Sequence, residues 1–343
     1  MLLHSIHKSS VTLLPADSIA PTAYDWVWKD WLACGCLHLL AGKPGTGKTT
    51  IALKLAAHVS SGTSWPDESN CAPGDVLIWS GEDSMSQTLV PRLTASGADL
   101  KRVRFIANVA TNGRKRPFNP ASDIKVLCDK LEEHSEARLI IIDPLVAAIK
   151  GDGHKNIEVR RDLEDLVALA GKRGIAILGI THLNKGGAEG SSPLDRVMGS
   201  VAFGAVSRLV MAAHVDQGGQ RQFIRLKSNI GPDTGGFSYD LVEKAVPNAA
   251  GLHAQVVEWL GTFTENAAAI MVPTSTANHT KLEQAEKFLR ILLENASIAQ
   301  SKIQKAAEAV GIGESTLRKA KDNAGITSKK VGNGWFWELA KAH

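Results

Sequence analysis

Four apolar stretches punctuate the first 180 residues: Leu37–Ala41, broken only by His38, Val76–Trp79, Leu139–Ile142 and Ile175–Ile180. Continuous rather than alternating apolar runs predict strands buried on both faces, as in a parallel sheet covered by helices. Helical spacing fills the gaps between them. It starts at Thr49 and recurs over Ser84–Ser96, Ser122–Glu133 and Glu158–Lys172, the last with Val159, Leu163, Leu166, Val167 and Ala170 on one face. Val103–Ile106 adds a short strand, and beyond residue 200 the pattern becomes strand-rich, at Arg208–Ala213, Gln222–Leu226 and Gln255–Trp259. The expected fold class is α/β, with a mostly parallel sheet and a β-rich extension.

A different pattern occupies the C-terminus. Ser301–Val310, a turn at Gly311-Ile312-Gly313 and Ser315–Asn323 read as helix, turn, helix, with Leu317 and Ala320 facing inward. Lys329-Lys330 then leads to Gly332-Asn333-Gly334, a strong hairpin signal, and to Trp335-Phe336-Trp337. Thr262–Thr280, with Pro273 and many small or hydroxylated residues, reads as a linker. The expected organisation is a large domain over 1–261, a linker over 262–280 and a small domain over 281–343.

Charge sharpens this division. The chain of 343 residues carries 39 Lys+Arg and 35 Asp+Glu, a net of +4. Residues 281–343 hold 11 of the basic and 7 of the acidic residues, so the whole excess lies in the small domain. A helix-turn-helix with a basic hairpin has the form of a winged helix. Arg318, Lys319 and Lys321 would then meet the major groove, and Lys329 and Lys330 the backbone or minor groove of duplex DNA. A packing module with solvated lysines would use the same residues. No apolar stretch is long enough to span a bilayer, and the first residues lack the marks of a signal peptide, so a cytoplasmic protein without membrane partners is expected. Cys34, Cys36, Cys71 and Cys128 form no C-x-x-C pair and read as ordinary thiols.

The chemistry concentrates at strand ends. Gly42-Lys43-Pro44-Gly45-Thr46-Gly47-Lys48-Thr49 matches G-x-x-x-x-G-K-[ST] in full, between a predicted strand and a predicted helix. Backbone N–H groups of such a turn, with Thr50 in the first helical turn behind it, cradle a triphosphate. Lys48 would reach its outer phosphates and Thr49 would complete a Mg²⁺ shell. ATP and Mg²⁺ are therefore the expected ligands. Asp143 closes a strand and fits an acid that orients the metal, whereas Glu82 or Asp83, at a neighbouring strand end, would polarise water, with Glu82 favoured. His182, Asn184 and Lys185 follow a third strand, where they would sense the terminal phosphate, and Gly186–Pro193 forms a loop beyond them. Arg225 and Lys227, on a late strand, are candidates for cations that act on a neighbouring subunit's nucleotide; each could equally be a solvated strand residue.

The order of these motifs carries a resemblance. Gly42–Thr49, Ser80-Gly81-Glu82-Asp83, Ile141-Ile142-Asp143-Pro144, Thr181–Gly186, Gly199-Ser200 and Lys227-Ser228-Asn229 resemble the RecA-like AAA-family ATPases, and within them the hexameric plasmid replicative helicases of the RepA kind and their phage relatives. The resemblance covers about residues 20–240. It implies ATP held between subunits of a hexameric ring, with single-stranded DNA drawn through the centre. It also implies Glu82 as base, Asp143 at the metal and His182 as the coupling residue. Those helicases carry a second histidine where this chain has Leu183. His154-Lys155-Asn156 with Arg160 and Arg161 resembles a segment of the phage relatives. The expected activity is that of a DNA-dependent ATPase, a helicase or helicase loader. The alternatives are an ATP-switched DNA-binding regulator that does not unwind and a RecA-like repair ATPase.

Overall fold

Leu37–Gly42 (β1), buried along its whole length, is the middle strand of a nine-stranded sheet. In the computed structural model, which describes residues 11–151, 155–183, 194, 201–216, 218–271, 275–293, 297–332 and 334–339, the chain divides into two units, Met1–Met271 and Val272–His343. In the first, β1 runs into helix α1 (Lys48–Ser61). There follow β2 (Asp75–Ser80), α2 (Val90–Ala95), β3 (Val103–Phe105), α3 (Ile124–Lys130), β4 (Ala137–Asp143), α4 (Asn156–Arg173), β5 (Ala176–His182) and α5 (Val201–Val206). The extension is β6 (Leu209–Val215), β7 (Arg221–Ser228), β8 (Thr234–Ala245), β9 (His253–Asn266) and α6 (Ala267–Ile270). The strand order is β9-β8-β7-β6-β1-β5-β4-β2-β3. The run from β6 to β3 is parallel throughout, and β7, β8 and β9 join antiparallel.

Each face of the sheet carries its own apolar core. Leu39 and Ile140 pack on one side with Leu163 and Leu166 of α4 and Leu127 of α3. Leu40 and Ile141 pack on the other with Ile51 and Leu55 of α1. This is why those strands carry apolar residues on both faces rather than at alternate positions only, with His38 buried among them. On the α1 side, Trp28 stacks between Trp65, at 4.6 Å, and Trp31, at 5.0 Å, over Phe223 and Phe237, so an N-terminal hairpin seals the sheet's underside.

Some elements differ from expectation. Leu169, not Val167, completes the buried face of α4, because the helix starts at Asn156 and its inward stripe drifts with the 3.6 period. β8 is a twelve-residue strand that the pattern hides. Gly235 and Gly236 stand at its start, where a Cβ on Gly236 would lie 2.2 Å from the carbonyl oxygen of Phe223 and 2.5 Å from the Phe263 ring. Regular elements occupy much of the span expected as a linker, 262–280, among the described residues. β9 continues to Asn266, whose side chain caps α6, and a further helix begins at Ser275. Pairing of Thr262, Phe263 and Asn266 with β8 extends the strand into that stretch.

The second unit comprises α7 (Ser275–Leu293), β10 (Ile298–Ala299), α8 (Gln300–Ala309), α9 (Glu314–Asn323), β11 (Ile326–Val331) and β12 (Gly334–Leu339), with strand order β10-β12-β11. Gly311, at φ +76°, makes the turn between α8 and α9 that a Cβ would strain. Leu289, Ile303, Leu317, Ala320, Ile326 and Trp337 form its separate core. No helix among the described residues is long and apolar enough to cross a membrane.

Candidate nucleotide site

The turn after β1 is shaped by its glycines. Gly45 and Gly47 have φ of +78° and +87°, a conformation that costs an L-residue roughly 1–2 kcal/mol. A Cβ on Gly42 would stand 2.7 Å from both the Ala213 carbonyl oxygen and Thr46 Oγ1. Lys48, the first residue of α1, is buried and donates from Nζ to the Lys43 carbonyl oxygen at 3.1 Å, across the mouth of its own turn. The open N–H groups at the start of this fourteen-residue helix face the same hollow. Thr50 is buried behind the turn.

Register brings the acids to this point. Ser80 at the end of β2 pairs with Asp143 at the end of β4, and Gly42 pairs with His182 at the end of β5. β5 lies between the Gly42 strand and the Asp143 strand, so three strand tips surround the turn. Thr49 donates from Oγ1 to Asp143 Oδ2 at 2.7 Å. The Gly81 amide donates to the Asp143 carbonyl oxygen at 2.8 Å, which ties the Glu82 loop to the same spot.

The electrostatics report how tightly the groups converge. Burial pushes the Asp143 carboxyl up to about 6; the Thr49 hydrogen bond opposes the rise, and the charges of Glu82 and Asp83 add to it. Burial lowers Lys48 against the pull of Asp143 and Glu82. It also lowers His182, aided by Lys48 and opposed by Glu82. Glu82 therefore acts on all three partners. It is exposed and makes no ion pair or hydrogen bond among the described residues, whereas Asp83 reaches Arg92 at 3.9 Å and its amide donates to Ser80 Oγ. Of the two acids, Glu82 is the uncommitted one.

These residues fit a magnesium-bound triphosphate. The glycine turn leaves backbone room that a Cβ would fill, and Thr181 Oγ1 and His182 Nδ1 are buried without hydrogen-bond partners among the described residues. A hydroxyl and carboxylates are hard oxygen donors suited to Mg²⁺. No cluster of three or more His, Cys, Asp or Glu side chains ready to hold a metal occurs among the described residues. A cation at Thr49 and Asp143 would accordingly share its shell with phosphate and water.

The extension supplies further residues whose part in the site the sequence does not announce. The Tyr239 hydroxyl donates to the Thr46 carbonyl oxygen at 2.5 Å, and Arg221 donates from Nη1 to the Gly45 carbonyl oxygen at 3.2 Å. Leu241 lies against Gly47, where a Cβ would be 2.9 Å from its methyls. Thus β7 and β8 grip the turn from outside. The strand character of Gln222–Leu226 is a readable signal; contact with a turn so distant along the chain is not.

Arg225 and Lys227 stand apart from this cluster. Lys227 is in register with Val210 and through it with Leu39, roughly 10 Å back along the sheet from Gly42. Its ammonium donates to the carbonyl oxygens of Gly204, at 2.6 Å, and Ser207, at 3.3 Å. Arg225 lies over the Trp31 ring at 4.3 Å. Both cations are engaged within their own chain. In the second unit Arg318 pairs with Glu314 at 2.8 Å and Lys321 lies 5.2 Å over the Trp337 ring, while Lys319, Lys329 and Lys330 are exposed. Asn184, Lys185, the loop Gly186–Pro193, His154, Gly199, Ser200 and Asn333 lie outside the described residues.

Comparison with known proteins agrees with the geometry. No curated protein matches the chain. A family model described as an AAA domain matches residues 8–188, a span that holds the glycine turn, Glu82, Asp143 and His182. More than half of the sequence lies within that match, and the chain belongs to this family of AAA-domain ATPases.

Proposed function

We propose that this ATPase is a DNA-dependent motor that assembles as a ring of identical copies, a helicase or helicase loader built on a RecA-like core. The observation that carries the reading is the single locus shared by Lys48, the Thr49–Asp143 pair, Glu82 and His182 at four adjacent strand tips. When bound, Mg²⁺-ATP supplies a phosphoanhydride whose cleavage is strongly downhill. Lys48 and the backbone of the turn bind and orient the phosphates, and Glu82 takes a proton from the attacking water. His182, next to Gly42 in register and at the start of the segment leaving β5, links the state of the site to that segment.

The second unit supports DNA as partner. Its helix, strand, two helices and two strands follow the order of a winged helix, with α9 presenting Arg318 and Lys319 and the β11–β12 hairpin presenting Lys329 and Lys330. The same unit favours a second reading, an ATP-switched DNA-binding regulator without strand separation. ATP turnover with and without single-stranded DNA, run beside mass measurement at several ATP concentrations, tests the motor. Stimulation, ATP-dependent assembly and unwinding of forked DNA are expected. DNA-independent turnover with footprinting on duplex alone would select the regulator.

A further inference from the structure

A feature outside the nucleotide site concentrates positive charge. Between Asp99 and Asp123 the chain carries Lys101, Arg102, Arg104, Arg114, Lys115 and Arg116 and no acidic residue. The last three lie on a β-hairpin, Asn108–Thr111 paired with Arg114–Pro117, that turns at Asn112-Gly113 with φ of +51° and +77°. The hairpin is anchored at its base. Val109 and Phe118 are buried in the core beneath α3 and α4, and the Phe118 amide donates to the Ala107 carbonyl oxygen at 3.0 Å.

One cation is spent on holding the hairpin. Arg116 donates from Nη1 and Nη2 to the two oxygens of the buried Asp123, at 2.6 and 2.7 Å, and the Asn119 amide adds a bond of 2.8 Å to the same carboxylate. Arg102 and Arg104 both face Asp75. Arg114 and Lys115 are left exposed near the tip, with no ion pair or side-chain hydrogen bond among the described residues. Asn108, Thr111 and Asn112 flank them with neutral hydrogen-bonding groups, and no aromatic side chain is exposed on either strand. This is a surface for phosphates, not for stacked bases.

Its position gives the charge a use. β3 is parallel to β2, so the chain leaves β3 at the same end of the sheet as Glu82, Asp143 and the glycine turn, four strands or roughly 20 Å from β1. We propose that the 108–117 hairpin is a nucleic-acid contact of the ATPase unit, with Arg114 and Lys115 binding the phosphate backbone without regard to sequence. The proposal rests on the DNA-dependent reading of the ATPase and adds a contact made outside the basic C-terminal unit.

The test is fluorescence anisotropy of a labelled thymidine oligonucleotide with the full chain, titrated at several salt concentrations. Arg114→Ala/Lys115→Ala is expected to weaken binding about tenfold and to reduce the salt slope by about 1.4, the loss of two phosphate contacts on a single strand. Turnover of ATP without DNA should stay as in the parent, since neither residue touches the nucleotide site. Arg114→Lys/Lys115→Arg should bind as the parent does. Unchanged affinity and slope in the alanine variant, with the parent protein binding DNA, would overturn the hairpin contact alone. So would an assembly defect in the alanine variant with DNA affinity intact, which would assign the charges to a second copy of the chain. A parent protein that binds no oligonucleotide at any salt would remove the DNA-dependent function itself, and this contact with it.

Discussion

Tyr239 donates its hydroxyl proton to the Thr46 carbonyl oxygen at 2.5 Å, with its ring buried, from a strand three places along the sheet from β1. The phosphate-binding turn is thereby fixed from two sides, by α1 through its own helical bonds and by β8 through this one. A turn that must present its N–H groups inward gains from having its carbonyls held outward. Tyr239→Phe keeps the packing and removes the bond, so it should cost about 1 kcal/mol of stability. ATP affinity should fall several-fold in a nucleotide titration. Undiminished affinity at the lowered stability would reduce Tyr239 to a packing residue.

Gly47 offers a companion measurement. Its φ of +87° and the Leu241 methyls at 2.9 Å from a Cβ are separate obstacles to a side chain. Gly47→Ala should therefore impair ATP binding, and adding Leu241→Ala should restore only the steric part. The backbone cost of about 1–2 kcal/mol would remain in the double variant. Complete recovery would show that the left-handed conformation contributes nothing.

Glu82 is proposed as the base because it makes no ion pair or hydrogen bond among the described residues. Removing its charge while keeping its shape, in Glu82→Gln, should leave ATP binding intact and slow hydrolysis by about 10²–10⁴-fold. Single-turnover kinetics would separate the two effects. Asp83→Asn, which breaks the 3.9 Å contact with Arg92 and removes one of the lesser charges acting on Asp143, should change turnover little. The opposite ranking of the two variants would move the base to Asp83.

The parallel core was legible because its strands carry apolar residues on both faces, a demand that burial on both sides makes and few other structures do. The glycine turn, Asp143 and His182 were legible for a related reason: strand ends in such sheets are where polar residues interrupt long apolar runs. β8 was not, since Gly235-Gly236 and the polar residues Ser238, Asp240 and Glu243 mask a strand held by its neighbours on both sides. Nor was the fate of Arg225. Sequence marks a cation on a strand, and only the folded chain reveals that Trp31 lies beneath it. The 108–117 hairpin did carry its Asn112-Gly113 signal, but its strands are too short and too polar for an alternation pattern to stand out.

Asp123 gives the protein a calculable response to acid. Hydrogen bonds from Arg116, with further support from Asn119 and Ser122, hold its carboxyl down at about 2, against an ordinary value near 3.8. A carboxyl depressed in the folded state contributes its stabilisation in full above the unfolded value and loses it as pH falls toward the folded one. Stability should therefore decline between about pH 4 and pH 2 by more in the parent than in Asp123→Asn. At neutral pH that variant should already be less stable, by about 1–2 kcal/mol, the half-exposed guanidinium tempering the effect. Thermal unfolding across that pH window would measure both quantities. Parallel curves for the two proteins would show that the Arg116–Asp123 pair adds no stability.

Arg225 and Lys227 pose the sharpest choice between a role within the chain and one across a subunit boundary. Burial lowers both, with Asp30 the first of the charges that oppose it at Arg225 and Arg208 adding to it at Lys227. Arg225 covers Trp31, whose ring belongs to the aromatic stack beneath β7, and Lys227 closes the carbonyl end of α5. If those contacts are their whole function, Arg225→Ala should lower stability by about 1 kcal/mol and leave turnover per folded molecule as in the parent. Lys227→Met should behave alike, with its loss confined to stability. A cation that completes a neighbour's site would give the reverse, turnover slowed by about a thousandfold at unchanged melting temperature. Mixing such a variant with Glu82→Gln would then restore turnover at the boundaries where an intact cation meets an intact base. The engaged geometry of both side chains predicts the first outcome.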